Sequence, residues 1–304
     1  MTTPFVSVVV PVLNGGKHLG ELLRSLAALD WPADRLEILV VDNGSTDDTA
    51  EQARAAGVTL LSEPERGASR ARNRGIREAR GEIVAFTDAD CLVTRRWIRG
   101  VTAPFQDPVV GGVGGRIETY RPTTLAERYA ARIGHLDVER HLSHPTFPFA
   151  PTANAAFRRD VFEKIGGFDP DFPWGEPVDF GKRVVRDAGF RLAFAPTAVV
   201  LHRARASVAE FRRQQEGYGY SLALLCSKYR DEVVWDVRRD READAEVSRA
   251  FWRMPSAFVT RPEDGDRRAT IQNRWLDWVR AAARRRGFRR AVRERGLVFN
   301  RGAA

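Results

Sequence analysis

Cysteine is nearly absent: Cys91 and Cys226 are the only two in 304 residues. Two thiols cannot build a disulfide framework or a thiolate zinc site, so a reducing cytoplasm is the expected compartment. Long hydrophobic runs are missing as well. No stretch approaches the ~20 apolar residues that span a bilayer, and Met1-Thr2-Thr3-Pro4 leads into the first apolar run without the basic residues of a secretory leader. A third absence concerns glycine. The turn after the first apolar run reads Pro11-Val12-Leu13-Asn14-Gly15-Gly16, which does not match G-x-G-x-x-G and argues against a nicotinamide dinucleotide enzyme.

What is present suffices for a large core, since 43% of the residues are hydrophobic. Residues 5–12 form a β-branched run that reads as a buried strand. Leu19, Leu22, Leu23, Leu26 and Leu29 then recur at helical spacing. A second strand over 36–41 ends in Asp42-Asn43-Gly44-Ser45-Thr46-Asp47-Asp48, where Ser45 or Thr46 is the expected cap of a second helix and the two acids sit in its first turn. A third strand is expected over 58–61. This alternation predicts an α/β fold with a doubly wound, mostly parallel sheet.

Residues 83–86 read as a fourth strand, fully apolar, that stops at Asp88-Ala89-Asp90. In an extended chain residues i and i+2 share a side, so Asp88 and Asp90 point into one space with only Ala89 between them. Paired carboxylates at a strand end, with no imidazole in the same stretch, suit a hard divalent cation such as Mg or Mn. Just upstream, Arg66-Gly67-Ala68-Ser69-Arg70-Ala71-Arg72-Asn73-Arg74-Gly75 mixes small and basic residues, a pattern suited to close approach to a nucleotide.

Four segments now stand in order: Ser-Val-Val-Val-Pro-Val-Leu-Asn at 7–14, Val-Val-Asp-Asn-Gly-Ser-Thr-Asp at 40–47, the arginine segment at 66–75, and Phe-Thr-Asp-Ala-Asp at 86–90. Together they resemble family-2 glycosyltransferases of the GT-A fold. The resemblance implies an inverting enzyme that uses a nucleotide-sugar donor, usually a uridine diphosphate (UDP) sugar. It implies a donor site formed by Pro11, Val12, Asn14, Asp42, Asn43, Ser45, Arg72, Asn73, Asp88 and Ala89, in which Asp42 bonds the base and Arg72 lies beside the nucleotide. Asp88 and Asp90 are implied as ligands of a Mn or Mg ion on the diphosphate, with His202 as a third. Residues 151–169, with Asn154 and Gly166-Gly167-Phe168-Asp169, match a further family segment.

The family's acidic motif falls at Trp174-Gly175-Glu176-Pro177-Val178-Asp179. Here the chain departs from the pattern, because Pro177 stands where a second acid is usual. Proline suits the first turn of a helix, so Glu176 is expected at the helix start as general base, and Asp179 one turn on as the other candidate. Asp179 is also placed to pair with Arg183. The family's Arg-Gln and Tyr-Gly helix is matched over 210–226 by Arg212, Arg213, Gln214 and Tyr218.

Elsewhere the residues speak less directly. A strand over 109–119 contains Gly111, Gly112, Gly114 and Gly115, which either admit a close neighbour or let the strand bend. A helix over 125–142 carries His135 and His141, which receive no role. The resemblance ends near residue 229, so a catalytic domain over 1–229 and a charged helical extension over 230–304 are expected. The formal charge of +9 concentrates at Arg280, Arg284, Arg285, Arg286, Arg289, Arg290, Arg293 and Arg295. With Trp275, Trp278 and Phe288, that tail makes peripheral contact with an anionic membrane an expectation, while no nucleic acid is expected. The acceptor is left open among a lipid-linked saccharide, a glycan and a small molecule. The alternatives are a nucleotide-sugar-binding protein whose catalysis is impaired by Pro177, and a nucleotidyltransferase.

Overall fold

The structure, a computed structural model, describes residues 3–134, 136–233, 235, 237–257 and 266–299. His135 lies outside them. The first half runs β1 (Val6–Val12), α1 (Gly16–Ala27), β2 (Leu36–Asp42), α2 (Thr49–Ala55), β3 (Thr59–Ser62), α3 (Ala68–Glu78) and β4 (Ile83–Phe86). It continues through β5 (Cys91–Val93), α4 (Trp97–Thr102), β6 (Val110–Thr119), α5 (Leu125–Ile133), α6 (Val138–Leu142), β7 (Ala155–Arg158), α7 (Arg159–Ile165), α8 (Glu176–Arg186) and β8 (Arg191–His202). Three long helices close it: α9 (Val208–Lys228), α10 (Val237–Ser256) and α11 (Arg267–Arg295).

Among the described residues the strands form one sheet in the order β3-β2-β1-β4-β7-β6-β8-β5. The β3-β2-β1-β4 half is parallel, while β7 runs antiparallel to both β4 and β6, and β5 to β8. The sheet is therefore mixed, with its parallel character confined to the β1–β4 half and the β6–β8 pair. Alternation along β1 explains why both faces are covered. Val6, Val8, Val10 and Val12 join Leu19, Leu22 and Leu26 of α1 in one core cluster, whereas Val9 joins Val41, Ala71, Phe86 and Phe157 in the other. Strands buried on both faces read as continuous apolar runs, as β1 and β4 do.

The glycines of β6 fit neighbours inside the protein. An added Cβ would stand 2.5 Å from Phe190 at Gly111, 2.6 Å from Phe157 and Leu192 at Gly112, and 2.5 Å from the Ala198 carbonyl at Gly115. The β6–β8 pairing also slips in register between Gly115 and Arg116, opposite Pro196, whose missing N–H suits an irregularity. The single helix expected over 125–142 is instead α5 and α6, because Gly134 takes a left-handed conformation (φ 55°) that ends the first helix. Asp137 then caps the second by accepting from the Arg140 amide at 3.1 Å.

The chain divides into two compact units, residues 1–121 with 134–203, and 122–133 with 204–304. The boundary expected at 229 does not coincide with this division. Within the second unit α9 lies against α11, and two glycines allow it. A Cβ on Gly219 would stand 1.9 Å from the Arg284 carbonyl oxygen, and one on Gly287 would stand 1.9 Å from that of Glu216. Several tail arginines tie α11 to its neighbours α10 and α9. Arg285 bridges Asp240 and Asp244 at 2.7 Å each, Arg289 also reaches Asp244, and Arg284 donates to Gln215. Gly287→Ala should destabilise the protein by about 1–3 kcal/mol through overpacking, against the roughly 1 kcal/mol by which alanine otherwise favours a helix. Urea unfolding measures the sum, and a more stable variant would show that the two helices yield.

Candidate active site

In open α/β sheets ligands bind beyond the carboxyl ends of the strands, where the strand order reverses. Here that point is the crevice beside β1, flanked by β2 and β4. The loops after β1 and β2 are joined there by a set of hydrogen bonds. Asn14, in a left-handed conformation (φ 52°), donates its amide to Ser45 Oγ and accepts from the Thr46 amide, both at 2.8 Å. Asp42 Oδ1 accepts from the Ser45 amide at 2.9 Å. Ser45 and Thr46 thus face the first loop instead of capping a helix, and α2 begins only at Thr49. Asp47 accepts from the Gly16 amide at 2.9 Å and Thr49 Oγ1 from the Gly15 amide, so both serve the start of α1. Gly15 has no side chain to hold its loop away from the next strand end: a Cβ there would lie 3.2 Å from that of Ala89.

Arg72 stands at the centre of the site. Helix α3 lies close on β1 because Gly75 leaves space for Val9; a Cβ at Gly75 would fall 2.3 Å from Val9 Cγ1. One turn earlier on the same face, Arg72 is buried and bonded to two carboxylates. Its Nη2 lies 2.8 Å from Asp88 Oδ1, and its Nη1 donates to Glu176 Oε1 in a very short contact. Its Nε has no hydrogen-bond partner. Burial opposes the arginine's charge, but the two carboxylates outweigh it and raise its pKa. For Glu176 burial dominates: it lifts the carboxyl above its usual range, aided by the charge of Asp88 and opposed by Arg72.

Glu176 is the first residue of α8, set there by Gly175 in the left-handed conformation (φ 70°) and followed by Pro177, whose missing N–H costs nothing in a first turn. Asp179 is fully buried one turn on and accepts from Arg183 Nε at 2.9 Å. Arg183 also donates to the Ile165 and Gly167 carbonyls. Asn73 braces the same turn, since its amide bonds both the N–H and the C=O of Phe168. Asn43 is similar: its side chain donates to the Glu63 and Glu65 carbonyls and accepts from the Gly67 amide. Behind the site Phe86, Phe157, Phe162, Phe168 and Phe180 make edge-on and stacked contacts 4.6–6.2 Å apart, an apolar floor that strengthens the charges above it.

The opposite wall comes from strand pairing. β5 runs antiparallel to β8 with Cys91 opposite His202, and the Arg203 amide donates to the Asp90 carbonyl at 3.1 Å. His202 Nε2 therefore lies 3.7 Å from Asp90 Oδ1. The structure thus brings Asp88, Asp90, Arg72, Glu176 and His202 to one crevice with the loop of Asn14, Asp42 and Ser45. Pro11 and Val12 close β1 at the same end. Nothing local in the sequence links Arg72 to Glu176, which are 104 positions apart.

The sequence profile of glycosyl transferase family 2 matches residues 7–166, more than half of the chain. The chain belongs to glycosyltransferase family 2. It is 34% identical over 212 residues to the glycosyltransferase AglE of Haloferax volcanii, covering 67% of this chain and 68% of that one. It is 32% identical over 240 residues to the pre-mycofactocin glycosyltransferase of Mycobacterium tuberculosis and spans about half of that relative's length. Among solved structures it is similar to the mannosyltransferase PcManGT of Pyrobaculum calidifontis in complex with GDP-Man and Mn2+ (TM-score 0.58, 23% identity, 98% of this chain and 77% of that one). It is also similar to the glucosyl-3-phosphoglycerate synthase of Mycobacterium tuberculosis in complex with Mn2+, UDP and phosphoglyceric acid (TM-score 0.53, 24% identity, 74% and 78%). These structures share the GT-A fold, so the chain is a glycosyltransferase of that fold, and the nucleotidyltransferase alternative is set aside.

Two outcomes follow for the Arg72 cluster. Removing one partner of a buried pair leaves an uncompensated charge, so Arg72→Met should cost about 3 kcal/mol in urea unfolding, the low end because Asp88 keeps some solvent. Glu176 has a raised pKa, so its contribution to stability is full below the unfolded value of 4.5 and declines as pH rises through the folded value. The stability of Glu176→Gln relative to wild type should therefore increase with pH above 4.5; a flat difference would show that burial does not perturb this carboxyl.

Proposed function

We propose that this glycosyltransferase is inverting and metal-assisted, and moves a sugar from a UDP-sugar to an acceptor hydroxyl. The observation that carries the reading is the set of charges at one crevice, with Asp88 and Glu176 joined through Arg72 and Asp90 set beside His202. The Mn2+ and nucleotide complexes of the similar structures support it. So does the donor chemistry: two carboxylates and an imidazole suit Mn better than Mg. His202 Nε2 and Asp90 Oδ1 lie 3.7 Å apart, long for a hydrogen bond, but among the described residues no three such side chains are gathered into a metal-binding group, since Asp88 is paired with Arg72. Asp88, Asp90 and His202 would hold the ion, with diphosphate oxygens and water completing the shell. When bound, the ion supplies Lewis-acid stabilisation of the departing diphosphate.

The protein's own groups would do the rest. The paired loops carrying Pro11, Val12, Asn14 and Ser45 hold the nucleoside, and Asp42 accepts a hydrogen bond from the base. Arg72 adds a fixed positive charge where the diphosphate develops negative charge. Asn43 and Asn73 support the donor site by holding its loops in place. Glu176 accepts the proton of the attacking hydroxyl, a task that a carboxylate with a raised pKa performs well near neutral pH. Asp179 is the weaker candidate because its carboxylate is fully buried against Arg183. No helix among the described residues is long and apolar enough to cross a membrane.

Calorimetry with UDP- and GDP-sugars, with and without Mn, tests the donor and the metal. UDP-sugar binding should depend on Mn, and Asp90→Ala should lose that dependence; normal Mn-dependent binding by the variant sinks the metal role. Glu176→Gln should keep donor binding and lose transfer by about 10²–10⁴-fold. The product's anomeric proton should report a configuration opposite to the donor's, and retention would overturn the inverting mechanism.

A further inference from the structure

We infer that the surface of α10 and α11, which carries a charged groove and exposed aromatic side chains on the same two helices, docks the second unit on an anionic phospholipid surface. The inference is independent of the active-site reading. The groove has a volume of about 200 Å³ and is lined by Glu246, Arg249, Arg253, Arg274, Asp277 and Arg280, with two alanines. Four guanidinium groups thus face two carboxylates. Asp277 is also engaged elsewhere, accepting from Tyr129 Oη at 2.5 Å and lying 3.4 Å from Arg132. Arg274 is held against the end of α10, donating to the Arg253 carbonyl and to Ser256 Oγ. Arg249 and Arg253 are exposed and form no ion pair among the described residues.

The same two helices carry exposed aromatic side chains. Trp252 is 73% exposed, the most of any large hydrophobic side chain described, and Phe251 and Trp275 are exposed beside it in sequence or on the facing helix. Trp252 packs edge-on to Phe251, with ring centroids 5.5 Å apart, and Phe251 does so to Trp278 at 6.1 Å. Helical spacing sets Arg249, Trp252 and Arg253 on one face of α10. An indole between two unpaired arginines matches the membrane interface, where the ring enters the headgroup layer and guanidinium groups bind phosphate diesters in a fork. Charge complementarity selects an anionic lipid: between Glu246 and the end of α10 the described chain carries Arg249 and Arg253 and no acid.

This surface shares Arg280 and Trp275 with the contact expected of the tail but not the tail's later residues. There Phe288 is buried and stacked on Trp235, with ring centroids 4.4 Å apart. Arg285 and Arg289 are tied to Asp240 and Asp244, and Arg286 reaches Glu216.

Flotation of the full chain with vesicles of phosphatidylcholine alone, or mixed with phosphatidylglycerol, tests the inference. The wild type should float only with the anionic vesicles. Trp252→Ala should reduce the bound fraction, and Arg249→Ala and Arg253→Ala should each weaken binding roughly fivefold. All three sites are exposed, so unchanged circular dichroism and donor binding should accompany the loss. Absence of flotation by the wild type, equal flotation of the variants, or equal binding to neutral vesicles would overturn the proposal. It also fails if inorganic phosphate alone binds the groove as tightly as the vesicles do. Self-association that depends on Trp252 without lipid, seen by sedimentation velocity, would assign the surface to a second copy instead.

Discussion

Arg72 is the charge on which the rest of the crevice depends. A guanidinium taken almost wholly out of water costs several kcal/mol unless anions meet it closely, and here Asp88 and Glu176 do so from two different elements. The pairing draws together the end of β4, the middle of α3 and the start of α8. Its partnerless Nε means that the arginine is not placed to satisfy every donor. Its position is set by Gly75 against Val9 on one side and by the Phe168 ring, 6.0 Å from the guanidinium, on the other. Such a cluster is a weak source of net stability, because replacing a buried ion network with apolar groups is often neutral. Its value lies in fixing three charges relative to one another before any ligand arrives.

The opposite wall is held by backbone register instead of by charge. Asp90 and His202 are 112 positions apart, yet pairing Cys91 with His202 sets their backbones side by side, and their side chains lie 3.7 Å apart. The two walls are supported by different interactions. Strand pairing resists pH, whereas an ion cluster with a lifted carboxyl does not.

How much of this was readable in advance follows from the range of the forces involved. Period-two alternation and the spacing of leucines are local, so β1, α1, β2 and β4 were legible, as was Asp88-Ala89-Asp90 at a strand end. The mixed sense of the sheet was not, because no local pattern tells β7 to run antiparallel to β4. Asn43 and Asn73 show a subtler limit. Both amides hold backbone turns, and a polar residue inside a motif reads the same whether it faces a ligand or a carbonyl. The arginine-rich tail shows the reverse problem. Its charge was visible, but the partners Asp240 and Asp244 lie about forty positions away, so the sequence does not show that Arg285 is buried in an ion-pair network which Arg289 joins from the surface. Trp252 of α10 reads in the sequence as an apolar anchor of this extension, yet it is 73% exposed, because an aromatic residue reads the same whether it is packed or left at the surface.

Pro177 is best understood through the same physics. At the second position of a helix it forfeits no hydrogen bond, and its ring fixes φ near −65°. With Gly175 in the left-handed conformation before it, the chain has little choice in where Glu176 emerges. A second acid at this position would have added a charge to a crevice that already holds Asp88, Asp90 and Glu176, and each added anion raises the others' pKa values. Proline removes that repulsion and stiffens the support of the remaining carboxylate. On the proposed mechanism, Arg72 must then divide its charge between Glu176 and an arriving diphosphate. Any weakening of its hold on Glu176 lifts that carboxyl's pKa further, so donor binding would make Glu176 a stronger base and at the same time one more readily protonated.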